Sequence, residues 1–300
     1  MERCVLMEGA LKERLKREYQ IEFNEFVDMG ALIYDTKSKQ ALKVLWNQYL
    51  DIARRYDLEI LLTTPTRRAN KERIEKAAYD EQLLVENVKF LKEVAKDAKA
   101  KSYIGGLMGC KGDAYTGGGA LSQEEAKAFH SWQANVLKVA GVDFLYAGIM
   151  PTLPEACGMA QALSDTELPY IISFTIRKDG KLIDGTTIHD AIAYIDAYTL
   201  RKPACYMSNC VHPDIVYEAL TQPCNQNELV TERFKGIQAN TSPLDYDLLD
   251  QSEELQSSDP EALAKSMARL KSLGLQIFGG CCGTNEHHME EIAKIISTKA

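Results

Sequence analysis

The sequence contains no run of about 18 apolar residues, the length that a helix needs to cross a bilayer. An acidic residue, Glu2, stands at its start, and the first apolar stretch, at 4–7, is too short to resemble a secretory signal. Basic residues are outnumbered by acidic ones, 35 against 43, and the formal net charge is −8. Nucleic acids and anionic membranes both require a basic face. We therefore expect a cytoplasmic protein that binds neither nucleic acid nor membrane.

Compact cysteine motifs are also missing. Eight cysteines are scattered through 300 residues, and only Cys281 and Cys282 are adjacent. Because no export signal is expected, we predict reduced thiols that serve as ligands or core residues rather than disulfides. The basic clusters at 12–17 and 67–68 are interleaved with glutamate, a mixture that predicts solvated helix surface.

The chain does contain a repeated alternation of apolar runs and helical periodicity. Hydrophobic residues make up 45% of it, enough for a sizeable core. Eight runs are predicted to be strands: 4–7, 59–63, 102–107, 143–147, 170–175, 204–209, 234–239 and 276–279. A helix or a helical pair is expected after each strand, and the clearest helices are predicted at 122–139, 190–198, 213–220 and 260–273.

Eight strand–helix units without a long polar linker predict an α/β fold, a single (β/α)₈ TIM barrel that forms one domain over residues 1–300. A doubly wound open sheet is the alternative, but the number of units favours the closed barrel. The region 9–58 is irregular, and 117–119 and 242–259 are predicted to be loops. Ser122, with Glu125 three residues later, predicts a capping box at the start of a helix.

Two cysteine motifs lie at the ends of predicted strands. Cys210 follows the sixth strand, and Cys281 and Cys282 follow the eighth. In a barrel, these carboxyl ends share the rim at which the chemistry of the fold takes place. The two strands are separated by a single strand, which places their axes roughly 10 Å apart. Their side chains are therefore predicted to meet at one Zn²⁺ ion, with neighbouring glycines allowing the tight turn.

Three cysteine ligands leave a tetrahedral zinc with one open position, the arrangement of catalytic rather than structural zinc. A free thiol with a pKa of about 8.5 is mostly protonated at neutral pH, and coordination to zinc deprotonates it. The thiolate of a small substrate then attacks a methyl carbon with little proton transfer. From the residues alone, other interpretations stay open: Cys210 as a buried small hydrophobe, and the adjacent pair as a vicinal disulfide or simple packing.

The motif Gly-Gly-Cys-Cys-Gly-Thr at 279–284, together with Asn209-Cys210, resembles the homocysteine S-methyltransferase family. Segments at 113–117, 129–130, 173–177 and 184–186 resemble landmarks of that family in the same order, over nearly the whole chain. The resemblance implies a barrel in which Cys210, Cys281 and Cys282 hold Zn²⁺ and a methyl group is transferred to homocysteine, giving methionine. The donors of the family are betaine, S-methylmethionine, S-adenosylmethionine and methylated cobalamin. A standalone Rossmann-type S-adenosylmethionine site is not expected here, because no glycine-rich loop follows a strand.

Departures from the family pattern fall on substrate recognition. In the first motif, normally Asp-Gly-Gly-x-Gly, Ala10 replaces a glycine; in the second, Pro65 replaces an asparagine; and Gly148 replaces a glutamate that resembles an amine-binding partner. A site that lacks a needed polar partner can reject a ligand by orders of magnitude. We therefore take homocysteine as the default acceptor and a different small thiol as the alternative. The substrate-binding residues that the resemblance implies are Glu8, Gly9, Thr64 and Asn240.

Other residues have weaker assignments. Tyr115 and Thr116 are candidates for closing over the site, and His212 is a candidate fourth zinc ligand in the resting state. His287 and His288 are expected to be exposed in the first turn of the last helix. No metal role is expected for the remaining cysteines, which are Cys4, Cys110, Cys157, Cys205 and Cys224.

The main functional hypothesis is a zinc-dependent S-methyltransferase whose partners are a small thiol acceptor and a methyl donor. The alternatives are a divergent member that acts on a different thiol, a non-catalytic thiol- or zinc-binding protein, and a subunit of a methyl-transfer complex. A metal-free barrel lyase or hydrolase is a further class. A homo-oligomer and a separate corrinoid protein are possible assemblies, since 300 residues leave no room for an appended cobalamin domain beside the barrel.

Overall fold

The computed structural model describes residues 3–243 and 258–297. Within them, eight parallel strands pair in sequence order and close into a barrel, because β8 also pairs with β1. The predicted barrel is therefore confirmed, and the open sheet is wrong. The strands are β1 Val5–Met7, β2 Ile60–Thr63, β3 Ser102–Gly109, β4 Phe144–Met150, β5 Tyr170–Phe174, β6 Cys205–Val211, β7 Phe234–Ala239 and β8 Ile277–Gly280.

Helices surround the strands. The irregular region 9–58 contains α1 Lys12–Glu18, a 3₁₀-helix at Met29–Tyr34 and α2 Thr36–Arg55. The others are α3 Lys71–Lys76, α4 Gln82–Ala98, α5 Gln123–Ala140, α6 Leu153–Ser164, α7 Ile188–Tyr198, α8 Pro213–Leu220, α9 Glu228–Arg233, α10 Pro260–Ser272 and α11 Glu286–Ser297. None of the described helices is long and apolar enough to cross a membrane. Most of the predicted loop 242–259 lies outside the described residues.

Local sequence signals fix several helix starts. The hydroxyl of Ser122 accepts a hydrogen bond from the backbone of Glu125, whose carboxylate accepts one from the backbone of Ser122. This reciprocal pair is the predicted capping box. Helices α8 and α10 begin with Pro213 and Pro260, where a missing N–H leaves no helical bond unmade.

The barrel interior is filled by side chains rather than open. Met7, Phe144, Ile171 and Met207 belong to one buried cluster, although they come from four different strands, β1, β4, β5 and β6. A second, larger cluster packs the outer faces of the strands against the helices. The interior is therefore a packed core, and in this fold active sites lie at the carboxyl-end rim of the strands.

The first and last strands meet at that rim. The backbone N–H of Gly280 donates to the carbonyl of Glu8 over 3.0 Å, and the N–H of Ala10 donates to the hydroxyl of Thr284 over 3.0 Å. These bonds connect the turn after β1 with the turn after β8.

Candidate active site and metal centre

Three cysteine sulfurs meet at the carboxyl-end rim. Cys210 lies near the end of β6, and Cys281 and Cys282 follow β8 directly. Their Sγ atoms all lie within 4.8 Å of one another, and those of Cys210 and Cys282 are 3.5 Å apart. Both members of the adjacent pair are free thiols, so the vicinal disulfide is wrong. We call Cys210, Cys281 and Cys282 the cysteine cluster.

The cysteine cluster fits a metal ion. In tetrahedral coordination, metal–sulfur bonds of about 2.3 Å place neighbouring sulfurs about 3.8 Å apart. The 3.5 Å between Cys210 and Cys282 is close to that separation. Thiolates are the donors that thiophilic ions such as zinc prefer. Among the described residues, the group that could hold a metal consists of these three cysteines.

An irregular backbone turns Cys210 toward the other two sulfurs. Its φ is +62°, in the left-handed region, and the β6–β7 register shifts between Asn209 and Val211. In a regular strand, adjacent residues point to opposite faces. Here both Asn209 and Cys210 line the same cavity, which the local shift makes possible. A left-handed residue other than glycine costs about 1–3 kcal/mol, so this sulfur is held at the expense of backbone strain.

Glycines form the corner after β8, as the sequence predicts. A Cβ on Gly280 would lie 2.2 Å from the hydroxyl oxygen of Thr284, and one on Gly283 would lie 1.8 Å from that of Thr241. Gly283 also has a φ of +84°. The hydroxyl of Thr284 donates to the carbonyl of Cys281 over 2.8 Å and fixes the turn.

The pKa values of the three thiols are shifted in different directions. Hydrogen bonds from Cys281, Cys282 and the phenol of Tyr115 lower the pKa of the Cys210 thiol well below its usual value. The same hydrogen bonds to Cys210 raise the pKa of Cys281 and of Cys282. Negative charge is therefore favoured on Cys210 over its two neighbours. Such a cluster is a ready site for a cation that replaces the thiol protons.

Two polar side chains contact the sulfur of Cys210. The phenol of Tyr115 lies 3.3 Å away, and the amide nitrogen of Asn240 lies 3.7 Å away. The carbonyl oxygen of Asn240 accepts a hydrogen bond from the backbone of Ser242 over 2.9 Å, which sets the orientation of the amide. Asn240 thus contacts a cysteine of the cluster rather than the open cavity.

The structure does not support two of the predictions made for histidines. His212 is not part of the cluster; it caps α8 by accepting from the N–H of Asp214 over 3.2 Å. His288 was expected to be exposed, and this is wrong, because only 3% of it is accessible. Its imidazole contacts the carbonyl of Ser258 at 2.8 Å, so the last helix turns this histidine inward. His287, beside it, is exposed as expected.

A cavity of about 160 Å³ opens above the cluster. Tyr146 and Gln238, joined across the barrel by a 2.9 Å hydrogen bond, line it together with Leu107 and Ile149. Ile149 has a φ of +58°, and its N–H donates to the side chain of Asn209 over 3.0 Å. Gly148, where the family pattern has a glutamate, contributes no side chain here.

Glu8 is a buried carboxylate in the cavity wall. It accepts hydrogen bonds from Trp46 Nε1 over 2.9 Å and from the backbone N–H of Thr63 over 3.0 Å, and it also contacts the Thr63 hydroxyl. Burial raises the pKa of Glu8 to about 7 in spite of these donors. Its partner Trp46 lies in α2, within the region that the sequence pattern left unassigned.

The other predicted substrate residues also line the cavity. At Gly9, a Cβ would lie 2.8 Å from the ring of Tyr49, so the wall there consists of backbone. The hydroxyl of Thr64 accepts from the N–H of Leu107 over 3.1 Å and bonds to the hydroxyl of Thr66 over 2.7 Å. This threonine therefore holds β2 against β3 at the cavity edge.

Sequence reasoning missed the basic part of the cavity lining. Lys12, Arg67 and Arg68 line the cavity, whereas their clusters were predicted to be solvated helix surface. Arg67 and Arg68 lie between β2 and α3, before the helix begins. Their proximity to the cavity depends on the path of this loop, which charge alternation does not reveal. Pro65, which departs from the family pattern, belongs to the same loop.

Comparisons with known proteins agree with this architecture. A family model described as homocysteine S-methyltransferase matches residues 5–296. The chain is 26% identical over 186 residues to homocysteine S-methyltransferase YbgG of Bacillus subtilis, an alignment that covers 61% of this chain and 56% of the relative. It is 27% identical over 176 residues to homocysteine S-methyltransferase of Escherichia coli, covering 58% of this chain and 54% of the relative. These alignments thus span little more than half the length of the curated relatives.

A solved structure extends the likeness of the fold to nearly the whole chain. The metallated form of the homocysteine methyltransferase MmuM from Escherichia coli superposes with a TM-score of 0.78 at 18% sequence identity. The superposition covers 98% of this chain and 96% of that one.

Proposed function

Because this chain belongs to the homocysteine S-methyltransferase family, we propose that it is a zinc-dependent enzyme that transfers a methyl group to a small thiol. Homocysteine, giving methionine, is the default acceptor. The observation that carries the proposal is the position of the cysteine cluster, with sulfurs within 4.8 Å of one another in the lining of this cavity. We place the reaction in the cytoplasm, where thiols stay reduced.

In this proposal, Cys210, Cys281 and Cys282 hold the zinc ion. When bound, zinc keeps the sulfur of the acceptor deprotonated at neutral pH. The chain's own residues set the charge around it: Tyr115 and Asn240 donate to the sulfur of Cys210 and stabilise its thiolate. Three protein ligands would leave the ion accessible to the sulfur of the acceptor, and the cavity above would admit a donor.

The proposal gives each predicted substrate residue a task. Glu8 presents a carboxylate to the cavity and pairs with an amine of the acceptor when it is ionised. Gly9 keeps the neighbouring wall free of a side chain, and Thr64 secures the edge between β2 and β3. Asn240 acts through Cys210 and is a positioning residue.

Zinc content and methyl transfer test the proposal together. We expect one zinc per chain by elemental analysis, and single replacements Cys210→Ser, Cys281→Ser and Cys282→Ser should each lower the content to near zero. Cys224→Ser, at an exposed cysteine, is the matched control and should retain the metal. Unchanged zinc content in the three cluster variants would overturn the assignment of the ligands.

The activity test incubates zinc-loaded protein with homocysteine and each of the family's donors, with and without a chelator, and follows products by mass. We expect a methylated thiol that disappears with the chelator. Stoichiometric zinc with no methylated product from any acceptor–donor pair would contradict catalysis and favour a non-catalytic zinc-binding protein.

A further inference from the structure

Two adjacent arginines line the cavity that has the cysteine cluster at its base. Arg67 and Arg68 follow β2, and each is only half-exposed. The absence of a side chain at Gly109, near the end of β3, makes room for them: a Cβ there would lie 2.7 Å from Cγ of Arg67. The stem of Arg67 is therefore packed against β3, and the residue forms part of the cavity lining.

The nearby carboxylates are already paired with other groups. Asp28 bonds to Lys12 over 2.8 Å, and Glu13 pairs with Arg17 over 3.1 Å and also accepts from the backbone of Gly283. Glu8 accepts from neutral donors within the wall. Asp28 and Glu13 are thus neutralised by cations, and among the described residues of the lining Glu8 is the carboxylate without an ion pair.

The guanidinium groups of Arg67 and Arg68 form few interactions with the described residues. In the part of the chain that the structure describes, neither Arg67 nor Arg68 has an ion pair, and Arg68 donates one long hydrogen bond, 3.4 Å, to the carbonyl of Gly112. Burial and then the charges of Arg73 and Arg67 lower the pKa of Arg68, which indicates that positive charge accumulates at this edge. An arginine stays protonated at any ordinary pH, so the charge persists.

A half-buried guanidinium without an anion is a binding site for one. Its planar fork forms two parallel charge-assisted hydrogen bonds with a carboxylate, sulfonate or phosphate. Negative charge is missing near the end of β4. There Gly148 stands in place of the glutamate of the family pattern and offers no carboxylate to a positively charged group. The cavity is therefore richer in unpaired positive charge than in unpaired negative charge.

Building on the proposed function, we propose that Arg67 and Arg68 bind an anionic group on the acceptor. The acceptor is then a small thiol with a carboxylate, sulfonate or phosphate at its other end, placed with its sulfur at the cysteine cluster. Homocysteine satisfies this requirement through its carboxylate, and a thiol acid without an amine satisfies it equally. The two arginines are specificity-determining residues, since they contact the acceptor at a distance from its reacting sulfur.

The first experiment measures charge recognition without metal or catalysis. Isothermal titration of metal-free protein compares 3-(methylthio)propionate, 2-(methylthio)ethanesulfonate and 2-(methylthio)ethyl phosphate with the neutral 3-(methylthio)propanamide. These thioethers mimic the methylated product and need no metal to bind. We expect at least one anion to bind about 10-fold or more tightly than the amide, the gain typical of charge-assisted bonds. The anion that binds most tightly identifies the chemical group.

Variants assign the preference to the two arginines. In the double variant Arg67→Met and Arg68→Met, the ratio of anion to amide affinity should fall to within about 2-fold, because methionine keeps an apolar stem and lacks the charge. Lys71→Met removes an exposed positive charge nearby, outside the cavity lining, and should leave the ratio unchanged. Circular dichroism and melting temperature verify that each variant is folded. Equal binding of anions and amide by the wild type, or a preference retained by the double variant, would overturn the proposal.

The second experiment places the anion on the acceptor. In cobalt-loaded protein, the thiolate-to-cobalt absorption band reports binding of 3-mercaptopropionate and 3-mercaptopropanamide with sulfur at the cluster. We expect the arginine variants to weaken binding of the acid alone, and equal weakening of both would contradict the proposal. Methyl transfer without any charge preference would overturn this inference and leave the proposed function intact. A charge preference without methyl transfer would do the reverse.

Discussion

The phenol of Tyr115 donates a hydrogen bond to the sulfur of Cys210, with 3.3 Å between the two atoms. Tyr115 lies in the loop between β3 and α5, 95 residues before Cys210 in the chain. The charge on Cys210, followed by burial, raises the pKa of Tyr115 well above its usual value, so the phenol keeps its proton and remains a donor. The position of this loop is thereby coupled to the charge of a sulfur in the cysteine cluster.

Removing that phenol oxygen should weaken metal binding. Tyr115→Phe deletes a hydrogen bond to a thiolate, and loss of such a partner typically lowers metal affinity 10–100-fold. We expect an increase of about 10-fold or more in the zinc dissociation constant, measured by competition with a chromophoric chelator. Tyr103→Phe removes a hydroxyl near the start of β3, at the other end of the barrel, and should bind zinc like the wild type. Equal affinities in the two variants would show that the hydrogen bond is dispensable.

Glu155 secures the loop that carries Tyr115. Its carboxylate is buried and accepts from the backbone of Lys111 over 2.7 Å and of Leu121 over 3.3 Å, with His130 at 3.2 Å. Glu155→Ala leaves these donors unpaired, and each costs about 1–3 kcal/mol. We expect a loss of unfolding free energy of about 2–5 kcal/mol, together with faster hydrogen exchange at residues 111 and 121.

Urea unfolding and hydrogen exchange of metal-free protein measure these two effects. Glu124→Ala, at an exposed glutamate of α5, is the control and should change the stability by less than about 0.5 kcal/mol. Unaltered exchange at residues 111 and 121 in Glu155→Ala would contradict the anchoring role.

Glu8 should make the stability depend on pH. Burial raises its pKa from 4.5 to about 7, so the folded protein retains a proton that the unfolded chain releases near pH 4.5. The unfolded state binds fewer protons between these values, and this contribution to stability is lost as the pH rises through the window. At about 1.4 kcal/mol per pKa unit, the loss reaches at most about 3 kcal/mol.

The variant Glu8→Gln cannot ionise and should lack this loss. Its stability relative to the wild type should therefore rise by up to about 3 kcal/mol between pH 4.5 and 7.5, whatever constant offset the amide introduces beside Trp46. Urea unfolding of metal-free protein at several pH values gives the difference. Glu22→Gln, at an exposed glutamate, should show a constant offset. A constant offset for Glu8→Gln as well would contradict the buried-proton account.

Gly283 should tolerate no side chain. A Cβ there would lie 1.8 Å from the hydroxyl oxygen of Thr241, and φ is +84°, so Gly283→Ala combines a steric clash with backbone strain. We expect a loss of about 2–5 kcal/mol in unfolding free energy and weaker zinc binding. Gly185→Ala is a matched control, because φ is +86° but no atom lies within 4 Å of the new Cβ. It isolates the backbone cost, about 1–2 kcal/mol. Equal losses in both variants would show that the contact with Thr241 is easily relieved.

Much of the fold follows from local pattern. Eight apolar runs, each followed by helical periodicity, admit few arrangements, and barrel closure then brings the ends of β6 and β8 to one rim. The meeting of the three cysteines of the cluster at this rim could be predicted for that reason. Strand ends were less accurate: β4 continues to Met150, three residues beyond the prediction, because Gly148 and the irregular Ile149 interrupt the apolar alternation.

Features that depend on the paths of loops could not be predicted from the sequence. The left-handed backbone of Cys210, the inward turn of His288 and the contact between Trp46 and Glu8 depend on residues far apart in the chain. Arg67 and Arg68 precede a helix rich in charged residues, so in the sequence they look like part of its exposed surface. Only the folded loop reveals that both residues line the cavity and that the stem of Arg67 packs against β3.

The meeting of β1 with β8 has a consequence for the newly made protein. Cys282 is synthesised 72 residues after Cys210, so a growing chain that has completed β6 offers one sulfur of the three. Stable capture of an ion must await the last strand and its bond to the carbonyl of Glu8. Because a ligand that binds only the folded form stabilises that form, the zinc ion of the proposed function would stabilise the barrel only after β8 has closed it. Under the proposed function, a shortage of zinc would lower the stability of the closed barrel as well as the activity.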